Sequence, residues 1–257
     1  RRSVLHFLFA SYSVVFSFDC SSFLLFALDF DGDEINLHFP QGELARAEGY
    51  GIVANTLQYL SCKDGKPLRG LIQDHVDAGV LLTRRDCFLA REAYQQMLCV
   101  AVTRLPGRRG NGRVVCAHPT IMMPRRGEKP ALALWTGKQV LTGLFTQLLQ
   151  GKAPLSVDSK TRIPTSEWGK GPMSEQLVLV RNNELLRGVI DKNQMGASAF
   201  GIVHAVHEMY GPDRTAELLN CFGILFTMFL RRAGSSFHFF CLLDSFVCNS
   251  FVGSLLL

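Results

Sequence analysis

The sequence predicts a mixed α+β fold, and three observations carry that expectation. Segments with helical apolar spacing recur through the middle of the chain, as in "DCFLAREAYQQMLCVAV" (86–102) and "GKQVLTGLFTQLLQG" (137–151). Between them lie short alternating runs joined by turn residues, as in "EQLVLVRNNELLRGVID" (175–191). No internal repeat organises the 257 residues, a length that suits one or two domains with a sizeable core.

In chain order, "QGELARAEGYGIVA" (41–54) has helix-forming composition. "LQYLSCKDGKPLRGLIQD" (57–74) reads as two short strands around the turn at Lys63–Pro67. The segment 86–102 reads as an amphipathic helix with Asp86 as its N-cap. Residues 104–130, rich in Arg, Gly and Pro, read as a loop or domain seam. The helix at 137–151 closes at Gly151. Asn182 and Asn183 suit the turn of a β-hairpin, because Asn tolerates positive φ. "ASAFGIVHAVHEMYG" (197–211) and "DRTAELLNCFGILFTMFLRR" (213–232) complete the set as helices, with Asp213 capping the second.

Charged residues make up 19% of the chain, the net charge is +5, and the mean hydropathy is +0.15. The balance is mildly basic, compatible with a polyanionic partner without demanding one. Apolar residues concentrate at the two ends. Residues 1–28 carry only Arg1, Arg2 and Asp19 as charges, and residues 235–257 only Asp244. Three readings of these ends compete: a signal peptide or anchor at the start, a membrane span at the end, or translated non-coding sequence at both. The third is the expectation here, because both ends share one unusual composition and lack caps and turn signals, and position 1 is not Met. Eight cysteines form no C-x-x-C pair, so a zinc ribbon has little support; reduced, mostly buried thiols are expected.

The stretch with the strongest chemistry is "LDFDGDEINLHFPQGELARAEGY" (28–50). Asp29, Asp31 and Asp33 alternate, and Glu34 follows. Alternate residues of an extended strand share a face, and Gly32 lets the backbone curl and a ligand approach closely. Like charges so close resist ionising together unless something offsets them. A divalent cation does so: Mg²⁺ takes about six oxygens at roughly 2.0–2.1 Å, some from water and phosphate. A solvated acidic turn is the bland alternative. An EF-hand loop fails, because its Gly and Glu positions hold Glu34 and Pro40.

"DFDGDEINLHFPQGELARAE" closely resembles the active-site segment of the largest subunit of multisubunit DNA-directed RNA polymerases. "KDGKPLRGLIQDHVDAGVLLTRRDCF", "LWTGKQV" and "ELLRGVIDKNQMGASAFGIVHAVHEMYG" resemble the pore region that follows it, in the same order. The likeness covers about residues 29–230. Phe39 in "HFPQ", with "LARAEGY" and "KDGKPLRGLIQDHV", is most similar to the RNA polymerase I branch, which makes ribosomal RNA.

The resemblance implies a fragment. Residues 29–54 would end a double-psi β-barrel active-site domain and carry the metal loop. Residues 55–210 would form a mixed pore domain, and 211–230 the start of a funnel region. The apolar ends, 1–28 and 231–257, would stand outside the family fold. Asp29, Asp31 and Asp33 would hold catalytic Mg²⁺ for DNA-templated nucleotidyl transfer from nucleoside triphosphates to the RNA 3′-hydroxyl, by two-metal chemistry. Glu34, Asn36 and His38 would shape the loop. Lys and Arg of the pore region would act on phosphates; Arg104, Arg108, Arg109 and Arg113 are either such a patch or a solvated loop.

Implied partners are the DNA template, the RNA product, the second-largest subunit and the other polymerase subunits, in the nucleus and nucleolus, with no membrane. Where the family has an Asn that contacts the ribose, this chain has Ala27, and Leu28 replaces the usual Ala. Without the rest of the barrel, the clamp, the bridge helix and the trigger loop, the chain alone is expected to be inactive and its metal affinity weak. A non-catalytic interaction module and a membrane-anchored protein are the alternatives from other classes.

Overall fold

A computed structural model describes residues 2–4, 34–36, 40–54, 56–103, 105, 114, 116–123, 132–164 and 174–251. The class is α+β, as expected. A short parallel pair, β1 (Arg2–Val4) and β2 (Glu34–Asn36), precedes helix α1 (Glu43–Glu48), which continues as a π-helical turn over Gly49–Val53. Helix α2 (Asp74–Thr83) follows. Strand β3 (Phe88–Ala90) runs directly into α3 (Arg91–Val102). Strand β4 (Ile121–Met123) and the central β5 (Leu132–Thr136) complete an antiparallel sheet of order β3-β5-β4. Helix α4 (Gly137–Leu148) begins at the residue after β5. A second antiparallel sheet, β6 (Val157–Lys160), β7 (Leu177–Arg181) and β8 (Glu184–Arg187), precedes three helices: α5 (Lys192–Met195), α6 (Ile202–Tyr210) and α7 (Pro212–Phe251).

The core lies where α3, α4 and α7 meet. On α7 the buried residues Leu218, Phe222, Leu225, Phe226 and Phe229 fall at helical spacing and form one stripe. Phe222 meets Phe145 of α4 edge-on at 6.0 Å and stacks on Phe226 at 5.4 Å. Helix α4 supplies Val140, Leu141, Leu144, Phe145 and Leu148, and α3 supplies Tyr94, Met97, Leu98 and Ala101. Each fully buried side chain of this size contributes about 1.5–3 kcal/mol before entropy is counted.

Polar contacts fix the elements against one another. Thr83 Oγ1 donates to the Gly79 carbonyl at 2.6 Å and accepts from Ile190 N–H at 2.9 Å, joining α2 to the segment that leaves β8. Ala117 N–H donates to Tyr94 Oη, and Trp135 Nε1 donates to the Ala117 carbonyl; the two rings stack at 5.5 Å. At the start of α4, Gln139 reaches back to the Thr136 N–H at 3.0 Å, one arm of a capping box. Lys138 and Glu175 form an ion pair at 2.6 Å that is nearly closed to solvent, tying α4 to the entrance of β7.

Several expectations hold. Helix 41–54 is present. Asn182 and Asn183 both have positive φ, 50° and 68°, at the β7–β8 turn, and Gly151 has φ +79° after α4. Others need correcting. The two strands expected around Lys63–Pro67 reduce to one bridge between Leu60 and Pro67, because Pro67 has no N–H to extend a ladder. Asp86 does not cap the helix. It pairs with Arg84 at 2.7 Å, while Phe88–Ala90 is drawn into pairing with β5 and the helix starts at Arg91 behind Ala90. Asp213 does not cap α7 either: the helix begins at Pro212, whose missing N–H is no loss in a first turn, and Asp213 lies inside that turn. The helix runs on to Phe251.

Among the described side chains the thiols are not mostly buried: Cys62, Cys99 and Cys116 are exposed, Cys87 is half-buried and Cys221 is buried, all of them free. Burial, reinforced by Glu217, pushes the Cys221 thiol up to about 12. Of the 104–130 stretch, Arg104, Arg108, Arg109 and Arg113 lie outside the described residues. Among the described residues, no helix is long and apolar enough to cross a membrane.

Candidate functional site

Asp29, Asp31 and Asp33 lie outside the described residues, as do Ala27, Leu28 and His38. Two described pieces follow them in the chain. Directly after Asp33, Glu34–Asn36 pairs in parallel with Arg2–Val4. Beyond Pro40, α1 carries Arg46, within 3.6 Å of Glu43, its guanidinium 5.8 Å from the Tyr50 ring centre. None of the α1 residues is buried, and Leu44 and Ile52 stand exposed. Among the described residues, no group of three or more His, Cys, Asp or Glu side chains could hold a metal ion.

The segment after α1 is built tightly onto the turn between α5 and α6. Leu71 N–H donates to the Met195 carbonyl at 2.8 Å. Gly70 lies so close to Gly196 that an added Cβ would come within 2.3 Å of the Gly196 carbonyl carbon. Only glycine allows that approach. Next to Gly70, the Arg69 side chain is buried, its guanidinium 5.7 Å from the Tyr59 ring centre. Tyr59 in turn stacks on His207 of α6 at 4.7 Å. A cation and an imidazole thus both pack on one phenol ring, a stack joining the 57–74 segment to α6.

Tyr59 Oη and His207 Nδ1 are buried and have no hydrogen-bond partner among the described residues. Burial raises the Tyr59 hydroxyl well above its usual range, against the pull of Arg69. Burial lowers the His207 pKa below 6.5; His204 and Arg69 add to that, and Glu208 opposes it. The folded protein therefore favours neutral His207. Its contribution to stability is complete above about pH 6.5 and is lost as the pH falls through the lowered folded value. The melting temperature is expected to fall between pH 7 and pH 5 by more in the parent than in His207→Phe, which keeps the stack and cannot titrate. A pH dependence identical in the two proteins would refute this.

Sequence reasoning does not find this stack or the Lys138–Glu175 pair. From sequence Arg69 reads only as part of a strand, and no local signal marks it as buried.

Two family models match the chain. RNA polymerase Rpb1, domain 3, matches residues 58–240, and RNA polymerase Rpb1, domain 2, matches residues 9–55. The chain belongs to the RNA polymerase Rpb1 family. The domain 2 match begins among the apolar first 28 residues and spans Asp29, Asp31 and Asp33; the domain 3 match takes in α2 through most of α7.

Among curated Rpb1-family relatives, DNA-directed RNA polymerase I subunit RPA190 of Saccharomyces cerevisiae is 43% identical over 203 residues, 79% of this chain and 12% of its own length. DNA-directed RNA polymerase I subunit rpa1 of Dictyostelium discoideum is 41% identical over 209 residues, 80% of this chain and 12% of its own. DNA-directed RNA polymerase III subunit RPC1 of Debaryomyces hansenii is 30% identical over 213 residues, 81% of this chain and 14% of its own. The chain is thus more similar to these polymerase I subunits than to that polymerase III subunit. It spans about one-eighth of the length of the polymerase I relatives it matches.

Proposed function

We propose that the chain is the part of a polymerase I largest subunit that carries the catalytic aspartates and the pore region, and that the whole protein carries out DNA-templated RNA synthesis. The carrying observation is the domain 2 match, which spans Asp29–Asp33 and ends at residue 55, three residues before the domain 3 match begins. In this reading residues 29–54 end a double-psi β-barrel, 55–210 form the pore domain and 211–230 begin the funnel.

The donor set fits a hard divalent cation: three carboxylates at alternate positions, with Gly32 among them to admit a close ligand. When bound, Mg²⁺ supplies charge neutralisation for the reacting phosphate and activation of the RNA 3′-hydroxyl. The chain's own part is to hold three negative oxygens at one place and to anchor that segment through β2 and α1. The remaining partners in this reading are the DNA template, nucleoside triphosphates, the growing RNA, the second-largest subunit and the other polymerase subunits, in the nucleus and at the nucleolus. The test is templated RNA extension by the assembled enzyme whose full-length subunit carries Asp→Asn changes at the three positions. Undiminished extension would refute the catalytic role.

A further inference from the structure

The turn between α5 and α6 holds Phe200 against its own preferences. Phe200 has φ +62°, a left-handed conformation that costs a bulky side chain free energy and suits glycine. Among the described residues, the other non-glycine positions with positive φ are Gln73, Asn182 and Asn183, none of them aromatic. The turn around it is tightly built. A Cβ on Gly196 would come within 2.5 Å of the Lys192 carbonyl oxygen, and one on Gly201 within 2.3 Å of the Asn193 carbonyl oxygen. The Phe200 N–H donates to His204 Nδ1 at 3.0 Å, and Ile202 and Val203 of α6 are buried just after it in sequence. The backbone path through these contacts has positive φ at 200, which glycine would supply without strain. The chain instead places there a ring that is 84% exposed, the most exposed large apolar side chain among the described residues.

The surroundings of the ring limit what it can meet. It lies 6.1 Å from the His204 ring and tilted by 46°, so the two are not stacked. His204 Nε2 lies 3.6 Å from the exposed Glu208 carboxylate. The charge set beside this aromatic is thus negative, which disfavours phosphates and favours a protein surface with a basic rim. Size limits the partner further. A phenylalanine buries roughly 150–250 Å². A stable complex between free proteins buries roughly 800 Å² on each side. An anchor of this size is effective only where its partner is already tethered, because the covalent link then removes most of the entropy cost of association.

We propose that Phe200 is a docking anchor whose ring inserts into an apolar pocket, with a basic side chain at its rim facing Glu208, in another segment of the same full-length subunit. This rests on the reading of the chain as part of a polymerase largest subunit, of which it spans about one-eighth of the relatives' length. Burial of the ring in that pocket offsets the strain that the turn bears on its own. The fixed backbone on either side of Phe200 limits the entropy lost on docking. Neither the three aspartates nor a metal takes part.

The test follows one substitution in two settings. In the 257-residue chain, Phe200→Gly is expected to leave the melting temperature unchanged or to raise it, since glycine accepts φ +62° without strain. In the assembled polymerase, the same substitution in the full-length subunit is expected to speed limited proteolysis of this region about fivefold or more, because cleavage follows the population of the undocked form. The pocket is located by p-benzoylphenylalanine in place of Phe200 in the assembled enzyme. Irradiation is expected to cross-link it within the same subunit, outside the part that this chain spans, to an apolar segment that carries Lys or Arg. The same photo-residue in place of the exposed Leu186 of β8 is expected not to reach that segment. A lower melting temperature for Phe200→Gly in the 257-residue chain would mean that the ring serves the turn itself and would overturn the proposal. So would unchanged proteolysis in the assembled enzyme, a cross-link to RNA or to another subunit, or no cross-link beyond that from position 186. RNA extension enters neither measurement, so the catalytic reading stands or falls separately.

Discussion

Changing Asp29, Asp31 and Asp33 together to Asn in the full-length subunit is expected to lower templated RNA synthesis by a thousandfold or more. Asn keeps the size and planarity of Asp while removing the charge and turning one acceptor oxygen into an NH2 donor, so bulk cannot account for the loss. The charge is what a divalent cation needs, and metal-ion catalysis is worth several kcal/mol of transition-state stabilisation, about tenfold in rate per 1.4 kcal/mol. In the proposed role the three groups act as one unit, so each single change is expected to cost nearly as much as the triple. Excess Mg²⁺ or Mn²⁺ should partly restore the single variants and not the triple. Retention of more than about a tenth of the parent rate in the triple variant would mean that the carboxylates serve shape or solubility only.

The second large effect is on stability. Gly137 opens α4 where it crosses the end of α2, and a Cβ there would come within 1.8 Å of the Leu82 carbonyl oxygen and 2.8 Å of its carbon. Both atoms belong to backbone, so no rotamer change relieves the clash; α2 and α4 must separate at the centre of the core. Gly137→Ala is therefore expected to cost about 3 kcal/mol or more, at the upper end of overpacking effects. For a chain of this size that is a melting temperature lower by roughly 10 °C. The same substitution at Gly223 on α7, where an added Cβ meets nothing within 4 Å, is expected to be neutral or to stabilise by about 0.5–1 kcal/mol through helix propensity. Thermal melts followed by circular dichroism separate the two. Equal behaviour of the variants would show that α2 and α4 do not pack as described.

What could be read from the sequence was what is local. The apolar faces of α3 and α4 follow from periodicity alone, and residues such as Leu141, Leu144 and Leu148 are buried as that spacing requires. Asn182–Asn183 adopt positive φ because their side chains tolerate it better than most. The family followed from a motif dense enough in carboxylates to be distinctive. What failed depended on partners far away in the chain. Phe88–Ala90 is helical in composition and becomes a strand because β5, more than 40 residues later, offers it a ladder. Pro67 ends a hairpin that its neighbours would support. Arg69 looks like a surface cation until Tyr59 and His207 close around it. The end of β6 meets the turn at 191–194 only because Asp191 accepts from Arg162 N–H and Gln194 donates to the Lys160 carbonyl, across 29 and 34 residues of sequence.

The single hydroxyl of Thr83 has a consequence for how the chain holds together. With Gly137 seated on Leu82 and α7 lying across α3, it interlocks the part before residue 105 with the part after residue 114. Neither half contains a complete interior, because each supplies walls that the other lacks. Two polypeptides divided between Leu105 and Val114 and co-expressed should therefore reassemble without a covalent link and elute as one species, while either produced alone should aggregate.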